Sequence, residues 1–311
     1  MKIVHPDGSQ DEREELERAL QEHNIPLDDV EVHYGAPANA DEWVERVGDA
    51  ELVMLGWSLP DAALERFPAV RGIVFLGTGA ADHVNLALAH RLGIEVRTVT
   101  GYGDDSVAEH ALALLLAMAR RIPEHDAQVR EGEWGQFAGT MLRGKTAGVV
   151  GLGGIGRRFA QLAAGIGMDV IGWNRSAEQG ERIHDSGIPL VPLDALCKRA
   201  DVVSLHLALN ADTEGIISAE RIDAMAAGTI LVNTARGGVV DEAAVRRRTD
   251  AGELRYAADV FDPEPLPADS PQRQSPNTVL TPHVGFFTPE ATLELYRGAC
   301  AHIATLLAKA A

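Results

Sequence analysis

Val149-Val150-Gly151-Leu152-Gly153-Gly154-Ile155-Gly156 closes an apolar β-type run on three glycines spaced G-x-G-x-x-G and opens a helix. The context makes the signal specific. Gly151 permits the tight turn, Gly153 lets a pyrophosphate approach the backbone, and Gly156 lets the helix close on the strand. Gly154 and Ile155 fall in the first helical turn, whose free N–H groups and dipole attract negative charge. The reading is a dinucleotide-binding βαβ unit.

Outward from this turn, apolar runs at 147–151, 169–173, 201–207, 229–233, 257–261 and 278–281 alternate with helix-length segments. They predict six parallel strands of a doubly wound sheet. Upstream, shorter runs at 2–5, 30–34, 51–55, 72–76 and 94–97 repeat the βα alternation, which predicts a second parallel sheet. Between the two series, 106–121 reads as a helix with nine consecutive apolar residues, Ala111 to Ala119. It is too short to span a bilayer. Being apolar all round, it is expected to be buried on several sides, at a domain or subunit junction. Seven of the fifteen prolines lie from Pro263 to Pro289, so that stretch is predicted to be an ordered loop. A terminal helix should follow and return to the first domain.

A chain of 311 residues suits two domains. The expected boundaries are a substrate domain of 1–100 with 284–311 and a dinucleotide domain of 101–283, with the chemistry in the cleft between them. Hydrophobic residues make up 46% and charged ones 24%, with no apolar tract of membrane-spanning length; this predicts a soluble globular protein. Net charge is -18, from 28 basic and 46 acidic residues. No basic run is present to meet a phosphate backbone, so nucleic acid and anionic membrane are not expected partners. Cys197 and Cys300 lie far apart without metal-ligand spacing, and no metal site is predicted. The N-terminus enters charged sequence without an apolar signal core, which points to a reduced cytoplasm.

Eighteen residues past Gly156, where an acidic side chain would normally grip the adenosine ribose of NAD, stands Asn174-Arg175-Ser176. Losing the carboxylate and gaining a guanidinium and a hydroxyl suits a 2′-phosphate. The expected cofactor is therefore NADP(H), with NAD(H) the second choice. On the competing reading Arg175 stacks on adenine and the neutral Asn174 tolerates both.

Farther on, Asn233-Thr234-Ala235-Arg236-Gly237-Gly238, Asp259-Val260-Phe261-Asp262-Pro263-Glu264-Pro265 and Thr281-Pro282-His283-Val284-Gly285 each follow a strand end. With Gly77-Thr78-Gly79 and Ser106-Val107-Ala108-Glu109-His110, they make the chain resemble the D-isomer-specific 2-hydroxyacid dehydrogenase family over almost its whole length. The resemblance implies two Rossmann-like or flavodoxin-like α/β domains. It also implies that Arg236, Glu264 and His283 bind and transform the substrate, that Asp259 meets the nicotinamide, and that Thr234 and Ala235 lie at the cofactor. Backbone N–H groups of Leu76, Gly77, Thr78 and Gly79 would complete the substrate carboxylate site. His206 aligns with a family histidine and reads as structural or cofactor-adjacent; His110 reads as a packing or interface residue.

The chemistry agrees independently. A guanidinium can fork a 2-oxo acid's carboxylate while polarising its carbonyl, and a histidine can supply the proton that the oxygen needs as hydride arrives, its protonated form favoured by an adjacent glutamate. The expected activity is reversible NAD(P)H-dependent reduction of a small 2-oxo acid such as glyoxylate or hydroxypyruvate by a homodimer. The alternatives are an NAD-dependent dehydrogenase of a larger D-2-hydroxy acid and a dinucleotide-sensing, corepressor-like binding protein. Three departures from the family pattern stand out: Asn174 for the acidic residue, Ala208 where proline is common, and Phe286-Phe287 after the histidine, which either narrow the pocket or pack in the core.

Overall fold

The apolar runs of the first hundred residues pair as parallel strands in the computed structural model, which describes residues 1–180 and 182–310. These strands are β1 (Ile3–Gly8), β2 (Val30–Tyr34), β3 (Leu52–Leu55), β4 (Gly72–Phe75) and β5 (Glu95–Thr98). Their order is β2-β1-β3-β4-β5, the flavodoxin-like doubly wound arrangement. Period-two alternation separates two cores. Val4, Val53, Leu55 and Ile73 pack with Trp43, Val47 and Leu88 on one face, and Ile3, Leu52, Met54 and Val74 with Leu16, Leu20, Tyr296 and Ile303 on the other. The terminal helix Pro289–Ala310 thus belongs to this first unit, which comprises Met1–Gly103 and Phe287–Ala311. Strand β1 runs three residues past the expected end, with a register shift between His5 and Gly8 around Pro6, which has no N–H to donate to a ladder.

The second unit is Asp104–Phe286. Its strands β6 (Thr146–Val150), β7 (Asp169–Trp173), β8 (Val202–Leu205), β9 (Thr229–Asn233), β10 (Leu254–Ala258) and β11 (Thr278–Leu280) form one parallel sheet in the order β11-β10-β9-β8-β6-β7. Both faces are covered, so β6, β8 and β9 are buried along nearly their whole length, as the unbroken apolar runs require. The strand order reverses between β6 and β8, and the carboxyl ends flanking such a switch point form the natural ligand crevice. Strand β10 departs from expectation: it begins at Leu254 and ends at Ala258, because Leu254 and Arg255 pair with Thr229 and Ile230 although Arg255 interrupts the apolar run.

The apolar helix spans Asp104–Arg120 and buries Ala108, Ala111, Leu114, Leu115, Met118 and Ala119. These positions meet the expected burial on several sides, while Ala113 and Leu116 remain exposed. One face meets the Gly154–Gly165 helix and strands β9 and β10, and Ala113 and Leu116 lie with the exposed Glu109 and Arg120 on another. Among the described residues, no helix is long and apolar enough to cross a membrane.

Candidate active site

The glycine turn is fixed by sterics. Gly151 has φ +92, and a Cβ there would meet the His206 carbonyl; a Cβ on Gly156 would strike the Gly151 carbonyl. Neither position admits a side chain. A Cβ on Gly153, by contrast, has nothing within 4 Å, so this residue faces open space at the N-terminus of the twelve-residue helix Gly154–Gly165. Gly154 lets the Asp104 carboxylate lie against the turn. The buried Thr234 Oγ1, just past β9, has no hydrogen-bond partner among the described residues. An open glycine, a helix N-terminus and an orphan hydroxyl around one switch point fit a bound dinucleotide.

His206 backs this turn instead of reaching outward. Its Nε2 lies 2.9 Å from Ser204 Oγ, its ring tilts against Phe159, and burial pushes its pKa down to about 3. It is therefore neutral and supplies no charge to a pyrophosphate. At the end of β7, Asn174 Oδ1 accepts the Leu152 N–H at 2.8 Å, tying this residue to the glycine turn. Arg175 is exposed and stands 3.6 Å from Asp212, a carboxylate that the sequence reading missed. Ser176 follows in the same short helix.

Arg236, Glu264 and His283 follow the ends of three adjacent strands, β9, β10 and β11. The buried Asn233 accepts the Ala235 N–H at 3.0 Å and donates to the Arg236 carbonyl at 2.9 Å, fixing the turn that presents Arg236. Gly237 has no room for a Cβ against the Phe261 and Asp262 backbone, so this turn closes on the loop that carries Glu264. Glu264 Oε1 accepts the Phe261 N–H at 2.8 Å, and Oε2 lies 2.6 Å from His283 Nδ1. Burial opposes the charge on Glu264, but His283, the Phe261 N–H and the Arg236 guanidinium outweigh it and hold its pKa below the usual 4.5. Glu264 is thus a carboxylate at neutral pH. Nδ1 must carry the proton in that bond, which leaves Nε2 of His283 as the atom that gains or loses one. Phe286 meets the His283 ring edge-on at 6.0 Å, while Phe287 is exposed.

His283 sits at φ +55, a conformation uncommon for non-glycine residues and informative where it is found. Asp259 holds it there. The Asp259 carbonyl accepts the His283 N–H at 2.7 Å, and its carboxylate takes the Val284 N–H at 2.9 Å, the Gly285 N–H at 2.8 Å and the Thr281 hydroxyl at 2.6 Å. Burial opposes this charge too; the donors, His110 included, prevail and lower its pKa. Much of its hydrogen-bonding capacity therefore goes to the loop rather than to a nicotinamide. In the first unit, the Leu76 N–H is donated to Leu55 and the Gly77 N–H to Phe75. Of the four backbone donors expected to meet a carboxylate, these two are thus already committed within the chain.

The class that the second unit defines is a doubly wound fold of the dinucleotide-binding type with a histidine–glutamate pair past its strand ends. Comparison with known proteins narrows it. The pattern described as "D-isomer specific 2-hydroxyacid dehydrogenase, NAD binding domain" matches residues 112–285. The chain is 36% identical over 271 residues to a D-3-phosphoglycerate dehydrogenase of Archaeoglobus fulgidus, covering 86% of this chain and 51% of that one. It is 33% identical over 294 residues to a glycerate dehydrogenase of Methylorubrum extorquens, covering 90% and 89%. A solved acyclic imino acid reductase in complex with NADPH and D-Arg superposes with a TM-score of 0.86 at 28% identity, covering 99% of this chain. The chain belongs to the D-isomer-specific 2-hydroxyacid dehydrogenase family. It spans about half the length of the D-3-phosphoglycerate dehydrogenases that it matches.

Proposed function

We propose that the protein reduces a small 2-oxo acid to the D-2-hydroxy acid with NADPH, hydroxypyruvate and glyoxylate being the substrates of choice. The observation that carries this reading is the 2.6 Å His283–Glu264 pair beside a guanidinium whose charge is felt at Glu264. Arg236 binds the substrate carboxylate and polarises the carbonyl. His283 Nε2 gives its proton to the carbonyl oxygen while Glu264, ionised throughout, stabilises the imidazolium before transfer. When bound, the nicotinamide supplies the hydride. The N–H groups of Thr78 and Gly79 are proposed as further carboxylate donors, and the residues around Gly151, Gly153, Gly156 and Thr234 as the dinucleotide site. The substrate choice draws on the glycerate dehydrogenase relative, since glycerate oxidised at C2 is hydroxypyruvate. Initial rates for 2-oxo acids of graded size with NADPH and with NADH test it. Fastest turnover of a bulky acid with NADH would favour the larger-substrate reading, and no turnover would favour the dinucleotide-sensing one.

The cofactor preference rests on Asn174, Arg175 and Ser176. An exposed pair such as Arg175–Asp212 contributes about 0–1 kcal/mol, so a 2′-phosphate can draw the guanidinium away from it. Arg175→Ala is expected to weaken NADPH by about tenfold or more and NADH little. Equal losses in a fluorescence titration would mean that Arg175 does not read the phosphate.

A homodimer is also proposed. Trp134 is 82% exposed and Met141 75%, and Leu116, Ile122, Val129 and Phe137 add to the exposed apolar surface of the same unit. Such area calls for a partner, and a two-fold axis would supply one in a second copy. Sedimentation at micromolar concentration should give twice 33.3 kDa, and Trp134→Glu with Met141→Glu should give the monomer. A wild type that runs as a monomer would remove the proposal. The buried free thiols of Cys197 and Cys300 support a reducing compartment, the cytoplasm.

A further inference from the structure

Ser106 and His110 lie one turn apart on one face of the Asp104–Arg120 helix, and both reach the segment that carries His283. Ser106 Oγ donates to the Gly285 carbonyl at 2.6 Å. His110 Nε2 lies 3.0 Å from Thr281 Oγ1 and 3.4 Å from Asp259 Oδ1. Because Thr281 gives its hydroxyl proton to Asp259 at 2.6 Å, its oxygen is left to accept, and His110 must be the donor from Nε2. The helix therefore completes a chain from His110 through Thr281 to the Asp259 carboxylate, which in turn grips Val284 and Gly285. Gly285 is tightly held as well: a Cβ there would stand 3.0 Å from Asp259 Oδ2 and 3.3 Å from His110 Cδ2.

We propose that Ser106 and His110 are positioning residues for the acid–base step, clamping residues 281–285 from the far side so that His283 stays in its left-handed conformation with Nδ1 on Glu264. Neither touches substrate. They act through Asp259, Thr281 and the Gly285 carbonyl, and their catalytic consequence rests on the role of His283 given above. The physical need is clear. A residue at positive φ relaxes unless its neighbours over-determine it, and the clamp fixes both flanks of His283, at Thr281 and at Gly285. A misplacement of about 1 Å at an acid–base group can cost on the order of 100-fold in rate.

The test uses the full-length protein with NADPH and the best 2-oxo acid. His110→Ala should lower kcat by about ten- to a hundredfold while the KM of the 2-oxo acid and the Kd of NADPH stay within about twofold, since uniform binding is untouched. His110→Gln places an amide N–H near the original Nε2 and should restore most of the loss. Hydrogen exchange gives a readout independent of turnover: the Val284 and Gly285 amides, donated to Asp259, should lose protection in His110→Ala and regain it in His110→Gln. If His110→Ala fails to fold, Ser106→Ala, which removes only a hydroxyl, should show the same kcat-selective loss with faster exchange of that loop. Full kcat in the alanine variant, a glutamine variant no better than alanine, or lost protection with unchanged kcat would each overturn the positioning role. A wild type inert toward every 2-oxo acid would instead remove the role of His283, and with it the catalytic half of the proposal; the exchange pattern would still decide whether the clamp holds the loop.

Discussion

His283→Ala is expected to lower turnover of the 2-oxo acid by a factor of about 100 to 10,000, the usual worth of a positioned acid or base, with NADPH affinity nearly unchanged. The magnitude follows from geometry. Nε2 is the imidazole atom left to transfer a proton once Nδ1 is committed to Glu264 at 2.6 Å, and the Arg236 guanidinium, permanently charged, can polarise the carbonyl but cannot protonate it. Affinity should survive because the glycine turn and the strand ends of β6 and β7 are built from other residues: Gly151 and Gly156 pack on backbone carbonyls, and Asn174 is fastened to Leu152. Single-turnover rates with a parallel fluorescence titration of NADPH make the measurement. Turnover near the wild-type level in a variant that still binds NADPH would take His283 out of the mechanism and leave polarisation by Arg236 to explain any catalysis.

How much of this was legible before the structure depends on how far each feature reaches along the chain. The glycine turn is local: its residues fall within six positions, so reading them as a phosphate cradle needed only the strand before and the helix after, although the contact that excludes a side chain at Gly151 comes from distant His206. Arg236, Glu264 and His283 were singled out by the family motifs in which they stand, and each follows a strand of one parallel sheet, whose ends lie side by side. Their supports were not. His110 and Thr281 are separated by 171 positions and Asp259 and Gly285 by 26, and no periodicity announces a hydrogen bond between loop and helix. Reading His110 as a packing residue followed from its apolar neighbours; its i,i+4 relation to Ser106 was the available signal. The start of β10 was missed because Arg255 breaks the apolar run, and the donors at Leu76 and Gly77 were overcounted because sequence does not show which backbone N–H groups are already paired. The apolar helix was legible for its character, while its expected junction was left open between domain and subunit, since the sequence of one chain does not say whether an apolar face is closed by that chain or by a partner.

Glu264→Gln is the sharpest probe of the proton, because it keeps the shape and removes the charge. In the wild type, burial works against the Glu264 carboxylate, yet its partners hold its pKa below 4.5. A depressed carboxylate keeps its stabilising contribution at neutral pH and loses it only as pH falls through the lowered value, so the Glu264 charge is present from neutral pH upward whether or not the His283 ring is protonated. Reduction draws on protonated His283 and should fall as pH rises; oxidation of the hydroxy acid draws on the neutral ring and should rise over the same interval. With glutamine the imidazolium loses its counter-charge, and removing an opposite charge disfavours the charged form of its neighbour. Both profiles should therefore move to lower pH: reduction should fall away earlier than in the wild type as pH rises, whereas oxidation should reach its plateau at a lower pH. The displacement in the same direction for both reactions separates loss of charge from simple misplacement of the ring, which would depress the two rates without moving either profile. Profiles unmoved in Glu264→Gln would mean that Glu264 orients His283 and does nothing to its proton.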